Sequence, residues 1–180
     1  MTRETRRLIF GLGALWLASS AAQGAAALAT VANFQPAAYL GHWHQIALFP
    51  TRFQAQCLGD TTADYQPLPE QRLQVTNRCR TAQGYEEVVG VARPHPGYPA
   101  NPAIMQVRFA PAWLAALPFV WGDYWVIATV GHYEAALVGS PDRQYLWLLA
   151  RAPEVSDAVY TQLSGVAAQQ GFDLRRLRRD

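Results

Sequence analysis

Leu40-Gly41-His42-Trp43-His44-Gln45-Ile46-Ala47 opens the first extended run of the chain. Gly41 lets the backbone turn tightly and pass close to a neighbour. Trp43 then supplies a large plate for burial, with one indole N–H to satisfy. About a hundred residues later, Leu146-Trp147-Leu148-Leu149-Ala150-Arg151 forms a second apolar run that ends in an arginine and leads into a helical segment. A guanidinium there can lie flat on the Trp43 indole and donate to nearby carbonyls, closing one end of whatever the intervening chain builds.

That intervening chain is a string of short runs separated by turn chemistry. The pattern predicts strands at about 42–49, 57–66, 72–79, 85–93, 103–110, 123–130, 133–139 and 145–151. Turns fall at 66–71, 81–84, 94–102, 131–132 and 140–144, and the stretch from Pro94 to Pro102 cannot be a strand because its prolines lack donors. Eight strands at this spacing read as a sandwich or an up-and-down barrel, and eight antiparallel strands can close completely around one small ligand. Pro153 stops the last strand and Ser156 is a plausible N-cap. Val155, Val159, Leu163, Val166 and Ala167 then repeat at helical spacing up to Gly171, giving one amphipathic helix over about 156–170 that must pack on the outer wall.

The length of 180 residues fits one domain, and 51% apolar residues are enough for a sizeable core. The formal charge of +2 is carried by Arg3, Arg6, Arg7 and Glu4, so the remainder is near neutral. Arg175-Arg176-Leu177-Arg178-Arg179 is a short basic tail of the kind usually solvated, not the basic face of a nucleic-acid binder. The chain has no lysine, which removes Walker-type phosphate binding and Schiff-base chemistry. Residues 1–24 read as a secretory signal: a basic start, an apolar run over Leu8–Ala18 too short to span a bilayer comfortably, then small residues. Cleavage after Ala22, Gly24 or Ala29 fits, leaving a domain over 30–180, and an uncleaved anchor is the alternative. No cysteine follows the apolar run, so the expectation is export to the periplasm as a soluble protein and not as a lipid-anchored one. Cys57 and Cys79 are the only cysteines. In an exported chain a disulfide is the default, with two inert core thiols as the alternative. A hairpin turning at Pro67-Leu68-Pro69-Glu70 sets Cys57, read as the start of one strand, opposite Cys79 at the end of the next. Such a bridge stabilises by about 3 kcal/mol on the chain-entropy model.

Taken in order, the chain resembles the lipocalin family over nearly its whole length after the leader, and within it the bacterial lipocalins and apolipoprotein D. The resemblance is carried by Leu40–Ala47, Ala63-Asp64-Tyr65, Val75-Thr76-Asn77, Gly122-Asp123-Tyr124-Trp125-Val126-Ile127, the run from Pro141-Asp142-Arg143 to Arg151, and the helix ending in Gly171-Phe172-Asp173. Two departures stand out. Thr129-Val130-Gly131-His132-Tyr133 lacks the aspartate of the family's middle motif, so that corner must be held by something other than a carboxylate. His44 stands where this branch usually has tyrosine. The resemblance implies an eight-stranded antiparallel up-and-down β-barrel, with Gly41, Trp43 and Arg151 as the motif at its plugged end. It further implies a non-catalytic carrier, without cofactor, of fatty acids, lysophospholipids or similar membrane-derived lipids in the bacterial envelope.

Strand alternation then assigns a ligand face. Met105, Val107 and Phe109 are apolar while Gln106 and Arg108 are not, and Tyr145, Trp147 and Leu149 share parity with Arg151. The family pattern places Tyr65 and Asn77 inward, and Tyr124 and Val126 complete the wall. The competing readings are a filled core with a structural or envelope-interaction role, or a lipocalin-fold enzyme. The enzymes of the family typically use a cavity cysteine, and both cysteines here are committed to the bridge. Gly139-Ser140-Pro141 is not a nucleophile elbow. His42 and His44 flank inward-facing Trp43 and so point outward, reading as structural or surface residues and not metal ligands; His95 and His132 sit in turns and read as solvated. Finally, the segment Ala110–Trp121 is interrupted by two prolines and joins strands five and six at the open mouth. Trp113, Leu114, Leu117, Phe119 and Trp121 rarely stay together in water, so this lip either folds inward as a lid or dips into a bilayer interface. Membrane contact is the expectation, since a lipid carrier collects its ligand from a membrane.

Overall fold

The structure is a computed structural model that describes residues 27–180; the signal-peptide reading over 1–24 lies outside them. Eight antiparallel strands close into a barrel: β1 (Gly41–Leu48), β2 (Thr62–Leu68), β3 (Arg72–Thr81), β4 (Gly84–Pro94), β5 (Ile104–Arg108), β6 (Gly122–Val130), β7 (Ala135–Gly139) and β8 (Leu146–Ala150). Each pairs with the next, and β1 pairs with both β8 and β2 to complete the circle. A short helix α1 (Pro36–Tyr39) precedes β1, and α2 (Asp157–Gln169) follows β8.

Four differences from the sequence reading have local causes. Cys57 does not begin β2: Gly59 and Asp60 take positive φ, which breaks the strand, and pairing starts only at Thr62. Cys57 is instead held in the preceding loop by the bridge to Cys79, Cα atoms 5.5 Å apart, and by the Leu58 N–H donating to the Arg80 carbonyl. β5 ends at Arg108, so Phe109 and Ala110 leave the ladder. β7 starts at Ala135 because Gly131 and Tyr133 both adopt positive φ in the turn before it. The basic tail is not simply solvated: Arg178–Arg179 form β9, a two-residue strand on β1.

Two cores result. The outer one lies between the barrel wall and α2, where Leu163 and Ala167 meet Ile127, Leu137, Leu148 and Phe172. Because α2 covers this wall, β7 is buried at every position, and so Ala135-Ala136-Leu137-Val138-Gly139 reads as continuous and not alternating. The helix starts with the Ser156 hydroxyl accepting from the Val159 N–H. It ends in a Schellman motif, with Gly171 at φ +86° and the Phe172 N–H donating to the Ala167 carbonyl. Arg143 in the β7–β8 turn donates from Nε to the carbonyl of Gln170, tying that turn to the helix end.

The inner core closes one end of the barrel. Trp43 is fully buried, its indole N–H donating to the Tyr39 carbonyl at 2.8 Å. Arg151 lies over it, Cζ 3.9 Å from the ring centroid. Its N–H groups reach the carbonyls of Ala38 and Leu40 at 2.9 and 2.8 Å, His42 at 2.7 Å and Tyr133 at 3.3 Å. Gly41 stands at φ +91°, and a Cβ there would already touch the Arg151 guanidinium. The corner without its aspartate is therefore held by this arginine, together with the Tyr133 hydroxyl accepting from the Gln35 N–H.

The other end stays open and is fastened by the tail. Asp180 accepts from the Thr61 N–H at 2.9 Å, the Thr61 hydroxyl at 3.0 Å and the Gln45 amide at 2.6 Å. This carboxylate clips the end of β1 to the start of β2 where the two strands have separated.

Two stability predictions follow from these clamps. Arg151→Ala removes the cation–π contact and orphans four carbonyls, and should cost about 2–3 kcal/mol in denaturant titration, with Arg151→Lys restoring only part, since one ammonium cannot span them. Loss of ligand binding with an unchanged melting temperature would refute this role. Asp180→Ala should cost about 1 kcal/mol and raise hydrogen exchange at the Thr61 amide.

Candidate functional site

The inner faces of the strands converge on a floor of aromatic residues. Tyr39 from α1 stacks near Trp43, ring centroids 4.8 Å apart, and near Tyr65 at 5.2 Å. The Tyr124 hydroxyl bridges those of Tyr39 and Tyr65, each O···O distance 2.6 Å. Burial pushes the Tyr65 hydroxyl up to about 12 and those of Tyr39 and Tyr124 well above their ordinary value, so all three stay neutral.

Above this floor the inner face opens to solvent by degrees. Along β8 and the residue before it, Leu149 is 5% exposed, Trp147 is partly buried and Tyr145 is 39% exposed. Along β5 and the residue after it, Met105 is 6% exposed, Val107 partly buried and Phe109 36% exposed. On β3, Val75 is buried while Asn77, one step nearer the mouth, is partly exposed. Val88, which pairs with Asn77, is exposed on β4.

The ten residues assigned to the ligand face therefore fall at three levels. Tyr65, Met105, Tyr124, Val126 and Leu149 belong to the inner core, with Val107 and Trp147 packed against it. Asn77 shares their strand parity at mid-height. Phe109 and Tyr145 stand at the rim; Phe109 packs over Gly90, where a Cβ would come within 2.6 Å of its ring.

The sequence reading missed Tyr39, hidden in what looked like a lead-in segment, and Phe53. Phe53 lies in the β1–β2 loop, 5.9 Å from the Tyr145 ring, and Tyr145 stacks on Trp147 with planes 4° apart. A relay positions this aromatic group: the Trp147 N–H donates to the Gln54 amide oxygen, the Gln54 amide to Gln45, and the Gln45 amide to Asp180.

The segment Ala110–Trp121 caps the same end, folded into two 3-10 turns over Ala112–Leu114 and Pro118–Val120. Trp113 and Phe119 are each 80% exposed and Leu117 is exposed, whereas Leu114 is partly buried. Trp121 departs from the expectation: it is tucked against the wall, its N–H donating to the Ala115 carbonyl and its face covered by Arg93.

The histidines remain outside the barrel. His42 pairs with Asp64 across the strand at 3.0 Å, a carboxylate that is distant in sequence, and stacks edge-on against His44. Burial and the neighbouring His42 lower the pKa of His44. His95 is less solvated than expected, its Nδ1 accepting from the Gly97 N–H and its Nε2 3.4 Å from Asp123. Among the described residues no three His, Cys, Asp or Glu side chains are grouped to hold a metal ion.

This architecture has close counterparts. A family model for the lipocalin-like domain matches residues 36–180. Temperature-induced lipocalin-1 of Arabidopsis thaliana is 36% identical over 144 residues, covering 77% of this chain and 74% of that protein. The outer membrane lipoprotein Blc of Escherichia coli K12 is 35% identical over 152 residues, covering 81% and 78%. Mouse apolipoprotein D is 26% identical over 154 residues, covering 81% of this chain and 75% of that protein. Among solved structures, insecticyanin from the tobacco hornworm Manduca sexta superposes with a TM-score of 0.63 at 18% identity, over 86% of this chain and 82% of that one, a likeness of fold alone. With the Gly41–Trp43–Arg151 clamp, the closed eight-stranded barrel and these relatives all in agreement, the chain belongs to the lipocalin family, whose members bind and transport small hydrophobic ligands.

Proposed function

We propose that the protein binds and carries fatty acids or lysophospholipids in the bacterial periplasm, taking the acyl chain through the open end of the barrel. The observation that supports this most is the graded exposure of the inner face. A filled barrel would bury Asn77, Val107 and Trp147 as completely as Leu149, yet solvent reaches their level. The wall there is apolar and aromatic with one amide, the composition of a small-molecule site.

Orientation follows from charge. The buried side chains of the inner core are apolar or neutral tyrosines, and the cation at that end, Arg151, lies on Trp43 with its N–H groups donating to four backbone carbonyls. A carboxylate or phosphate sent to that floor would be desolvated while the Arg151 N–H groups are already held by carbonyls, so the head group stays at the mouth and the chain points toward Trp43. Phe53, Tyr145 and Trp147 line the passage the chain must cross.

Export is supported by the bridge between Cys57 and Cys79 and by the signal-like start. The Blc relatives are named outer membrane lipoproteins; in this chain Cys57 and Cys79 are bridged to each other. Leu28 packs into the outer core, which favours cleavage after Ala22 or Gly24 over Ala29. The exposed Trp113 and Phe119 supply the membrane contact, dipping into the interface at the same end as the mouth.

Native mass spectrometry of protein purified from periplasm should show a copurifying single-chain lipid. An empty protein that takes up neither oleate nor a lysophospholipid would favour a structural role. Trp113→Ser with Phe119→Ser should lower binding to phospholipid vesicles about tenfold or more, since two interfacial aromatics are lost. Affinity for a soluble short-chain fatty acid should stay within about twofold, since neither side chain lies on the inner face.

A further inference from the structure

Directly below the lip, on the outer wall, two arginines share one indole. Arg93 on β4 lies over the Trp121 ring with Cζ 3.7 Å from its centroid, and Arg108 at the end of β5 approaches the same ring at 5.3 Å. Among the described residues, neither has a carboxylate within 4 Å. The described ion pairs join other residues, and the nearby Asp123 is turned to His95. Among the described residues the Arg93 guanidinium donates to the Gln106 side chain, and that of Arg108 to the Ala110 carbonyl. The Nε of each is buried and unpartnered. Arg108 is itself more than nine-tenths buried and lines a surface cavity of about 300 Å³ with Gln74, Val91, Phe109 and Pro111.

Two guanidinium groups held this close, partly desolvated and without an anion, repel each other, and burial together with Arg108 lowers the pKa of Arg93. A structural cation–π contact needs only one of them. An anion that accepts from both would relieve the repulsion, and the planar guanidinium fork suits phosphate oxygens. The position selects which phosphate. Arg108 ends the strand where the lip begins and bonds its first carbonyl, and both arginines rest on Trp121 where the lip ends, so a bilayer that received Trp113 and Phe119 would bring its head-group layer to Arg93 and Arg108.

We propose that Arg93 and Arg108, held on Trp121, form a seat for the phosphate of an anionic phospholipid head group, which docks the open mouth selectively on anionic bilayers. This rests on the reading of the lip as a membrane contact. The outer strand face, and not the ligand cavity, then provides lipid selectivity at the membrane, and the basic tail is not required for it.

The test compares sedimentation with phosphatidylcholine vesicles and with the same vesicles containing phosphatidylglycerol. The parent should bind the anionic vesicles about tenfold or more tightly, a preference that added salt reduces. Arg93→Gln/Arg108→Gln should abolish the preference while leaving binding to neutral vesicles unchanged. Arg93→Gln alone, at a half-buried position that leaves Arg108 in place, should reduce the preference if the double variant does not fold, and Arg93→Lys should restore part of it. Arg178→Gln/Arg179→Gln should keep it. Equal binding of the parent to both vesicles, an unchanged preference in the Arg93 variants, or its loss in the tail variant alone would overturn the seat while leaving the lip intact. Failure of the parent to bind either vesicle would overturn the lip and the seat together.

Discussion

The guanidinium of Arg151 on the indole of Trp43 is the contact on which the rest of the barrel depends. A closed sheet has no edges, but its ends still expose backbone groups and a hole. At one end a single planar cation covers the largest buried ring and satisfies carbonyls from the lead-in helix, the first strand and the β6–β7 turn. These elements are far apart in sequence, so the clamp closes the chain on itself as well as the barrel. A lysine could supply the charge but not the geometry, and the chain has no lysine anywhere.

Plugging one end decides what the other can do. With Tyr39, Tyr65 and Tyr124 locked hydroxyl to hydroxyl over Trp43, the lower half of the barrel is solid. The upper half has to be closed differently, because a ligand must pass. The closure there is made of separable parts: the disulfide-held loop, the tail strand β9, and the amide relay from Asp180 through Gln45 and Gln54 to Trp147. Each is a polar or covalent clip at the perimeter, which leaves the aromatic side chains at the mouth without tight packing of their own.

Much of this was legible in the sequence because it rests on local chemistry. Strand alternation located Met105, Val107, Trp147 and Leu149 on one face, and the helix boundaries followed from Ser156 and Gly171. The Gly41–Trp43–Arg151 motif identified the plugged end. What stayed hidden depends on long-range docking. Nothing near Asp180 says that its carboxylate returns to Thr61, and nothing near Cys57 shows that Gly59 and Asp60 turn positive and postpone β2. Trp121 looked equivalent to Trp113 because both sit in one apolar stretch. Only the register of β4, β5 and β6 reveals that Arg93 and Arg108 cover one and leave the other in water. The end of β5 was equally hidden: the strand stops at Arg108, and Phe109 stands at the rim over Gly90, one residue beyond the ladder.

The distribution of charge separates the two faces of the same wall. Inside, the core holds neutral tyrosines and apolar groups, a surface that accepts a hydrocarbon chain and rejects an ion. Outside, the row from Val91 to Arg93 and from Gln106 to Arg108 carries two cations that pair with no carboxylate among the described residues. One strand pair thus presents opposite chemistries through a single sheet thickness, because side chains on adjacent residues must point to opposite faces. An amphiphile has the same division, a chain for the inner face and an ionic head for the outer rim, and the open mouth is the one place on this barrel where the two faces meet.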